Sequence, residues 1–164
     1  PLFILWMYYL LDIINNIVRS HMARAFLIKT RNVRMVGNVI QNSSGSAIQL
    51  GAEAGWRESG PVENILIEHN WIIGCGYGHG RQKGTAISLE VNGVKGTPEI
   101  LNRNIIIRNN VIEAVGNEAI YISATKEIEI KDNEISGSTH GILIENSESI
   151  DVRNNGNLST IIKN

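Results

Sequence analysis

This chain of 164 residues has few cysteines, little net charge and few aromatic residues, and each of these shortages excludes some structures or partners. It has one cysteine, Cys75, so an internal disulfide is excluded. No catalytic signature surrounds that thiol, and we expect it to be buried. The net charge is -1 at pH 7, and so neither a nucleic-acid partner nor an anionic membrane surface is expected. Aromatic residues make up 5% of the chain, which favours a narrow interior filled by small branched side chains.

The apolar run over residues 1–11 is too short for a membrane span, which needs about 20 residues. It also lacks the basic start and the small-residue cleavage site of a secretory signal. Much of the chain repeats every 22 residues, and residues 3–6 lie one such step before the short strand predicted at residues 25–28. We therefore interpret the run as part of a further repeat, and no membrane partner is predicted.

What the sequence does have is repetition, marked by an asparagine that returns six times with similar neighbours. A short alternating strand precedes each asparagine, and a second short strand recurs between them. The spacings are 22, 32, 40, 23 and 22 residues, which indicates a 22-residue unit with insertions in two of its copies. Such a period predicts a solenoid of stacked β coils. The asparagines are Asn16, Asn38, Asn70, Asn110, Asn133 and Asn155.

Stacked coils of this kind favour a parallel β-helix over a sandwich. Equivalent strands run in one direction about 4.7 to 4.9 Å apart, so equivalent residues form columns. The asparagines are predicted to stack at a turn, amide on amide and amide on backbone. Gly, Asn and Ser punctuate the chain, and helical periodicity is absent after residue 30. One apolar column is predicted to face inward: Phe26, Ile48, Ile87, Ile120 and Ile142.

The predicted fold is therefore all-β, a parallel β-helix solenoid of about six to seven coils that forms a single domain over residues 1–164. Neither end carries an obvious polar cap, and solenoids need caps over their exposed core. We expect this piece to be cut from a longer helix, so that coils of the parent protein cover its ends. The alternative is that another chain covers them.

Three insertions interrupt the repeat, at residues 51–63, 74–84 and 90–103, and they are predicted to flank one strand face on adjacent coils. Binding and catalysis concentrate in long loops on rigid scaffolds, so we predict the site here. A glycosidase needs one carboxylic acid and a second carboxylate as base or nucleophile. The candidate catalytic residues are Glu53, Glu58 and Glu90. The candidate substrate-binding residues, which would stack on a sugar or bond its hydroxyls, are Arg24, Trp56, Arg57, Tyr77, His79, Arg81 and Ser88.

Four segments, 22–28, 44–48, 56–62 and 86–90, resemble in that order glycoside hydrolase family 110, the exo-acting α-1,3-galactosidases. The most specific is Trp56-Arg57-Glu58-Ser59-Gly60-Pro61-Val62. The resemblance covers roughly residues 15 to 112, beyond which the chain is similar to any right-handed, pectate-lyase-like β-helix repeat. It implies metal-independent, inverting hydrolysis of terminal α-galactosyl bonds by acidic side chains, without a cofactor. It also implies an oligo- or polysaccharide substrate and an extracellular or periplasmic location. Family members tend to have an aspartate near position 52 or 53, where this chain has Ala52 and Glu53.

Two other functions stay open. A polysaccharide lyase would use Arg81 or Lys83 as the base of a β-elimination, although no carboxylate spacing for a calcium site is evident. A carbohydrate-binding or adhesive solenoid would use the loops only to grip a glycan. No metal site is predicted, because a zinc site needs clustered ligands and the histidines are scattered.

Overall fold

The computed structural model describes residues 10–78, 84–114, 116 and 118–163, and its regular structure is almost entirely β-strand. Its one helical segment is a single 3-10 turn at Ala54–Trp56. The strands are β1 (Leu11–Ile14), β2 (Ile17–Arg19), β3 (Phe26–Ile28), β4 (Val33–Val36), β5 (Val39–Gln41), β6 (Ile48–Leu50), β7 (Glu63–Glu68), β8 (Trp71–Cys75), β9 (Ile87–Leu89), β10 (Asn102–Arg108), β11 (Val111–Ala114), β12 (Glu118–Ser123), β13 (Thr125–Lys131), β14 (Glu134–Ser136), β15 (His140–Glu145), β16 (Glu148–Arg153) and β17 (Thr160–Lys163).

The strands form three sheets, and every pairing between them in the described chain is parallel. Sheet A has the order β1-β4-β7-β10-β13-β16, sheet B has β14-β11-β8-β5-β2, and sheet C has β17-β15-β12-β9-β6-β3. Three successive strands, one for each sheet, make a coil, so β1 to β3 form coil 1 and β16 and β17 form coil 6. The predicted parallel β-helix is confirmed. The further repeat predicted around residues 3–6 lies outside the described residues.

The interior is built from columns of equivalent side chains, as the repeat predicts. Phe26 pairs with Ile48, and the same column continues through Ile87, Ile120 and Ile142. All five belong to one hydrophobic core or pack against it. Cys75 is also buried in this core, and burial raises the pKa of its thiol. The thiol is therefore held in its neutral form, which suits packing rather than catalysis.

The six repeated asparagines form one continuous hydrogen-bonded ladder. In the first five, the side-chain Nδ2 donates to Oδ1 of the asparagine one coil further on, at distances of 2.9, 2.8, 3.0, 2.9 and 2.7 Å along the chain. The backbone N–H of the same residue donates to that same oxygen. The residue before each ladder asparagine has a positive φ, which turns the chain from sheet A to sheet B: Asn15, Gly37, His69, Asn109, Asp132 and Asn154.

Two of the three insertions start at the carboxyl ends of neighbouring strands of sheet C. Residues 51–62 follow β6 and residues 90–101 follow β9, one coil later, and their backbones pair where Asn92 N–H donates to Ala52 O at 2.9 Å. Gly51 starts the first insertion with φ of 110°, and a Cβ there would lie 2.0 Å from the Glu90 carbonyl oxygen. The third insertion joins β8 to β9 and so meets sheet C at the opposite end of its strands. Its residues 79–83 lie outside the described part of the chain.

Candidate functional site

The outer face of sheet C carries two columns of residues that face away from the core, and both are polar in their middle coils. Strand pairing aligns Leu27, Gln49, Ser88, Tyr121 and Leu143 in the first column. Gln49, Ser88, Tyr121 and Leu143 are nevertheless buried, which is unusual for an outward position. The second column lies at the strand ends, where the insertions begin: Lys29, Gly51, Glu90, Ser123, Glu145 and Lys163.

Glu53 and Glu58 lie together in an ion-pair group at the first two coils, which we call the Lys29 cluster: Arg24, Lys29, Gln49, Glu53 and Glu58. Lys29 Nζ contacts carboxylate oxygens of both glutamates, at 2.6 Å for Glu58. Arg24 Nη1 donates to Glu53 Oε1 at 3.0 Å and to Gln49 Oε1 at 3.1 Å. The hydrogen bond from Lys29, with a smaller contribution from Arg24, lowers the pKa of Glu53 against the opposing effect of burial. Glu53 is therefore an ionised carboxylate clamped between two cations.

Trp56 and Arg57 sit at the tip of the loop that the Lys29 cluster holds. Backbone hydrogen bonds in both directions join Glu53 and Glu58 across the base of this loop. The 3-10 turn between them leaves Trp56 80% exposed. Arg57 follows in the left-handed conformation, and its N–H caps the turn by donating to Ala54 O at 3.0 Å. The indole is thus presented to solvent from an anchored loop.

A cavity of about 470 Å³ lies further along sheet C, beside the second column. Glu90, Ser123, Glu145 and Lys163 of that column line it, together with Tyr121. Its wall is the segment 94–98 of the last insertion, which crosses a whole coil so that Pro98 O accepts a hydrogen bond from Asn146 Nδ2 at 2.7 Å. We call this the Glu90–Glu145 cavity.

Three polar groups of the Glu90–Glu145 cavity are linked through Glu145. The Tyr121 hydroxyl donates to Glu145 Oε2 at 3.0 Å, and Lys163 Nζ donates to Glu145 Oε1 at 3.2 Å. Burial, the largest cause, raises the pKa of Tyr121 to about 12. The phenol therefore remains a hydrogen-bond donor throughout the range in which most enzymes work.

The structure distributes the candidate residues over several places. Glu90 lines the cavity, whereas Glu53, Glu58 and Arg24 belong to the Lys29 cluster and do not line it. Ser88 is buried, with its Oγ 3.2 Å from Ser46 Oγ, so solvent does not reach it here. Tyr77 is half exposed near the other end of the strands. His79, Arg81 and Lys83 lie outside the described residues. The functional roles of all these residues stay predictions.

Sequence reasoning passed over three residues that the geometry makes prominent: Lys29, Tyr121 and Glu145. Register alone places them on the outer face of sheet C, and that signal was available. They lie on coils without an insertion at that point, however, and so were not selected as site candidates. Within the described part of the chain, no three His, Cys, Asp or Glu side chains are grouped so that they could hold a metal ion. No helix among these residues has the length and apolar character to cross a membrane.

Comparison with known proteins gives two results. The family model described as "Right handed beta helix region" matches residues 6–156. Alpha-1,3-galactosidase B of Akkermansia muciniphila is 32% identical over 125 residues, which cover 74% of this chain and 16% of that protein. Alpha-1,3-galactosidase A of Bacteroides fragilis is 29% identical over 126 residues, covering 76% of this chain and 21% of that protein.

The chain thus spans about a fifth of the length of the curated relatives that it matches. The family match, by contrast, extends over most of the chain, and it agrees with three parallel sheets closed around one core. Together these observations show that the chain belongs to the right-handed β-helix family and is related in sequence to α-1,3-galactosidases.

Proposed function

We propose that this chain is the β-helix part of a glycoside hydrolase that cleaves terminal α-galactosyl or related glycosidic bonds. The observation that carries the proposal is the Glu90–Glu145 cavity, where two carboxylates, a protonated phenol and an ammonium group line one space beside the insertions. The similarity to α-1,3-galactosidases supports the choice of sugar. Because the chain spans about a fifth of those relatives, we propose that it acts within a longer polypeptide.

The chemistry asks for two carboxyl groups on a rigid frame. In inverting hydrolysis one protonates the leaving oxygen and the other activates water, with the two about 6.5 to 9.5 Å apart. Strands stacked about 4.7 to 4.9 Å apart bring side chains one or two coils apart into this range. Glu90 is our candidate for one of these groups because it lines the cavity. Glu53 and Glu58 remain candidates through the neighbouring Lys29 cluster.

The Lys29 cluster also supports a second part of the proposal, the binding of a sugar ring by Trp56. An exposed indole has an apolar face that can pack on the C–H face of a pyranose. Glu53 and Glu58 hold the ends of its loop to Lys29, so the backbone that carries the ring is fixed before substrate arrives. Preorganised contacts of this kind reduce the entropy lost on binding. Arg57 and Tyr77, both accessible, would contact more distant parts of an oligo- or polysaccharide.

We propose an extracellular or periplasmic location, since polymeric glycans are met outside the cytoplasm. The named activity of the relatives supports this choice.

The test is to offer the full polypeptide that contains these residues a panel of aryl glycosides, α-1,3-linked galactosides and polyuronates. We expect α-galactoside hydrolysis with a new reducing end, and product NMR should detect β-galactose first. An unsaturated product that absorbs in the ultraviolet would instead indicate a lyase. Affinity for glycan without turnover would indicate a binding module.

Glu90→Gln tests the site within the same assay. We expect turnover to fall by at least about a hundredfold, the scale of lost acid or base catalysis, with the fold unchanged. Glu134→Gln is the matched control, because Glu134 is exposed on sheet B, away from the cavity. Full activity of Glu90→Gln would reject the role of the cavity.

A further inference from the structure

We infer that Glu145 is the second catalytic carboxylate, the general base opposite Glu90, and that Tyr121 is its positioning residue. The inference rests on the proposed hydrolase function and adds to it a residue from a plain coil without an insertion.

Position in the β-helix supports this pairing. Glu90 directly follows β9 and Glu145 is the last residue of β15, and they occupy the same column two coils apart. Two strand spacings put their α-carbons about 9 to 10 Å apart. Side chains that lean toward the cavity they share would fall within the separation of inverting glycosidases, about 6.5 to 9.5 Å. The residue between them is Ser123, which is short and leaves space above it.

Hydrogen bonding supports the choice of Glu145 as the base. Tyr121 donates to one of its oxygens and Lys163 to the other, so the carboxylate is fixed in orientation. This arrangement suits a carboxyl group that works in its ionised form. Glu53, by comparison, does not line the cavity.

The wall of the cavity supports the pairing as well. Segment 94–98 begins in the coil of Glu90 and is anchored by Asn146, the residue after Glu145. The wall therefore runs from the coil that carries Glu90 to the residue that follows Glu145. A wall so placed brings both carboxylates into one space beside sheet C.

The step we propose balances in atoms and charge. Glu90, as the carboxylic acid, gives its proton to the glycosidic oxygen, which keeps the electron pair of the breaking C1–O bond. A water oxygen bonds to C1 from the opposite face, and its proton passes to Glu145. The products are the inverted sugar and the free alcohol, and proton exchange with solvent returns Glu145 to its ionised form and Glu90 to its acid form.

The experiment compares Glu145→Gln with Glu90→Gln in the full polypeptide, on two α-galactosides with good and poor leaving groups. The acid variant, Glu90→Gln, should lose far more activity on the poor leaving group than on the good one, because only the poor one needs protonation. The base variant, Glu145→Gln, should lose at least about a hundredfold on both. Glu148→Gln is the control, because Glu148 is exposed in sheet A of the next coil.

Tyr121→Phe tests the positioning role, since it removes only the hydroxyl group. We expect kcat to fall with KM nearly unchanged, and the acidic limb of the pH profile to move to higher pH, because the carboxylate has lost a donor. A lower melting temperature with an unchanged pH profile would overturn this role. Should Glu145→Gln fail to fold, Glu145→Asp keeps the charge but shortens the reach, and it should also lose turnover.

An active wild type with an active Glu145→Gln variant overturns the assignment of Glu145 and leaves the proposed hydrolase standing. A wild type that hydrolyses no glycoside overturns both.

Discussion

At the scale of the residue, the buried ladder asparagines have nearly every polar group satisfied. Asn110 Nδ2 donates to Asn133 Oδ1 and to the Ile67 carbonyl, and its own Oδ1 accepts from the backbone and side chain of Asn70. A shorter side chain would leave these partners buried and unbonded. Such groups are costly because the interior offers them no water.

Asn110→Ala should therefore lower the free energy of unfolding by about 1 to 3 kcal/mol. Urea titration is the measurement. Asn157→Ala is the control, because Asn157 is exposed and lies outside the ladder. Equal midpoints for the two variants would mean that the ladder amides contribute no more than surface ones.

The Lys29 cluster makes a prediction about pH. The pKa of Glu53 in the folded chain is lowered from its ordinary value of 4.5, chiefly by the hydrogen bond from Lys29. A lowered folded pKa gives stability that is fully present above 4.5 and is lost as pH falls through the folded value. Urea midpoints between pH 7 and pH 3 should fall more steeply for the wild type than for Glu53→Gln. Parallel curves would show that solvent screens the ion pairs of Glu53 and that they add nothing to stability.

At the scale of the element, Gly51 decides where β6 ends and the first insertion begins. Its φ of 110° is strained for any other residue, and an added Cβ would collide with the Glu90 backbone of the next coil. Gly51→Ala should cost at least about 1 to 3 kcal/mol, from backbone strain alone, in urea unfolding. Gly60→Ala in the same insertion is the control, since nothing lies within 4 Å of a Cβ there. Similar losses for both would contradict a special role for Gly51.

The strands were predictable from sequence, whereas the path of the loops was not. Side chains alternate with a period of two, so the pairing of Ile48 with Ile87 follows from the repeat once the insertion between them is recognised. Segment 94–98 has no such pattern. Its contact between Pro98 and Asn146 joins residues 48 apart, and it depends on a backbone course that no local residue dictates. The Glu90–Glu145 cavity exists only because of that course, which explains why Glu145 was not among the sequence candidates.

At the scale of the whole molecule, the fold was predicted correctly because every coil of a solenoid repeats the same order of strands and turns. Each coil packs on its two neighbours, so a period in sequence becomes a period in space. The site does not repeat in this way. Ser88 illustrates the difference: its outward position follows from the repeat, but its burial depends on how the chain covers sheet C.

The asparagine ladder also gives the molecule a polarity. Every bond from one ladder amide to another points the same way, from the Nδ2 of one coil to the Oδ1 of the next coil along the chain. The amide dipoles therefore add along the axis and do not cancel. Peptide dipoles add along an α-helix in the same way. A coil stacked in the same sense would extend the row, whereas two solenoids joined tail to tail would place donor against donor. The row of amides thus dictates the direction in which coils can be added to this β-helix.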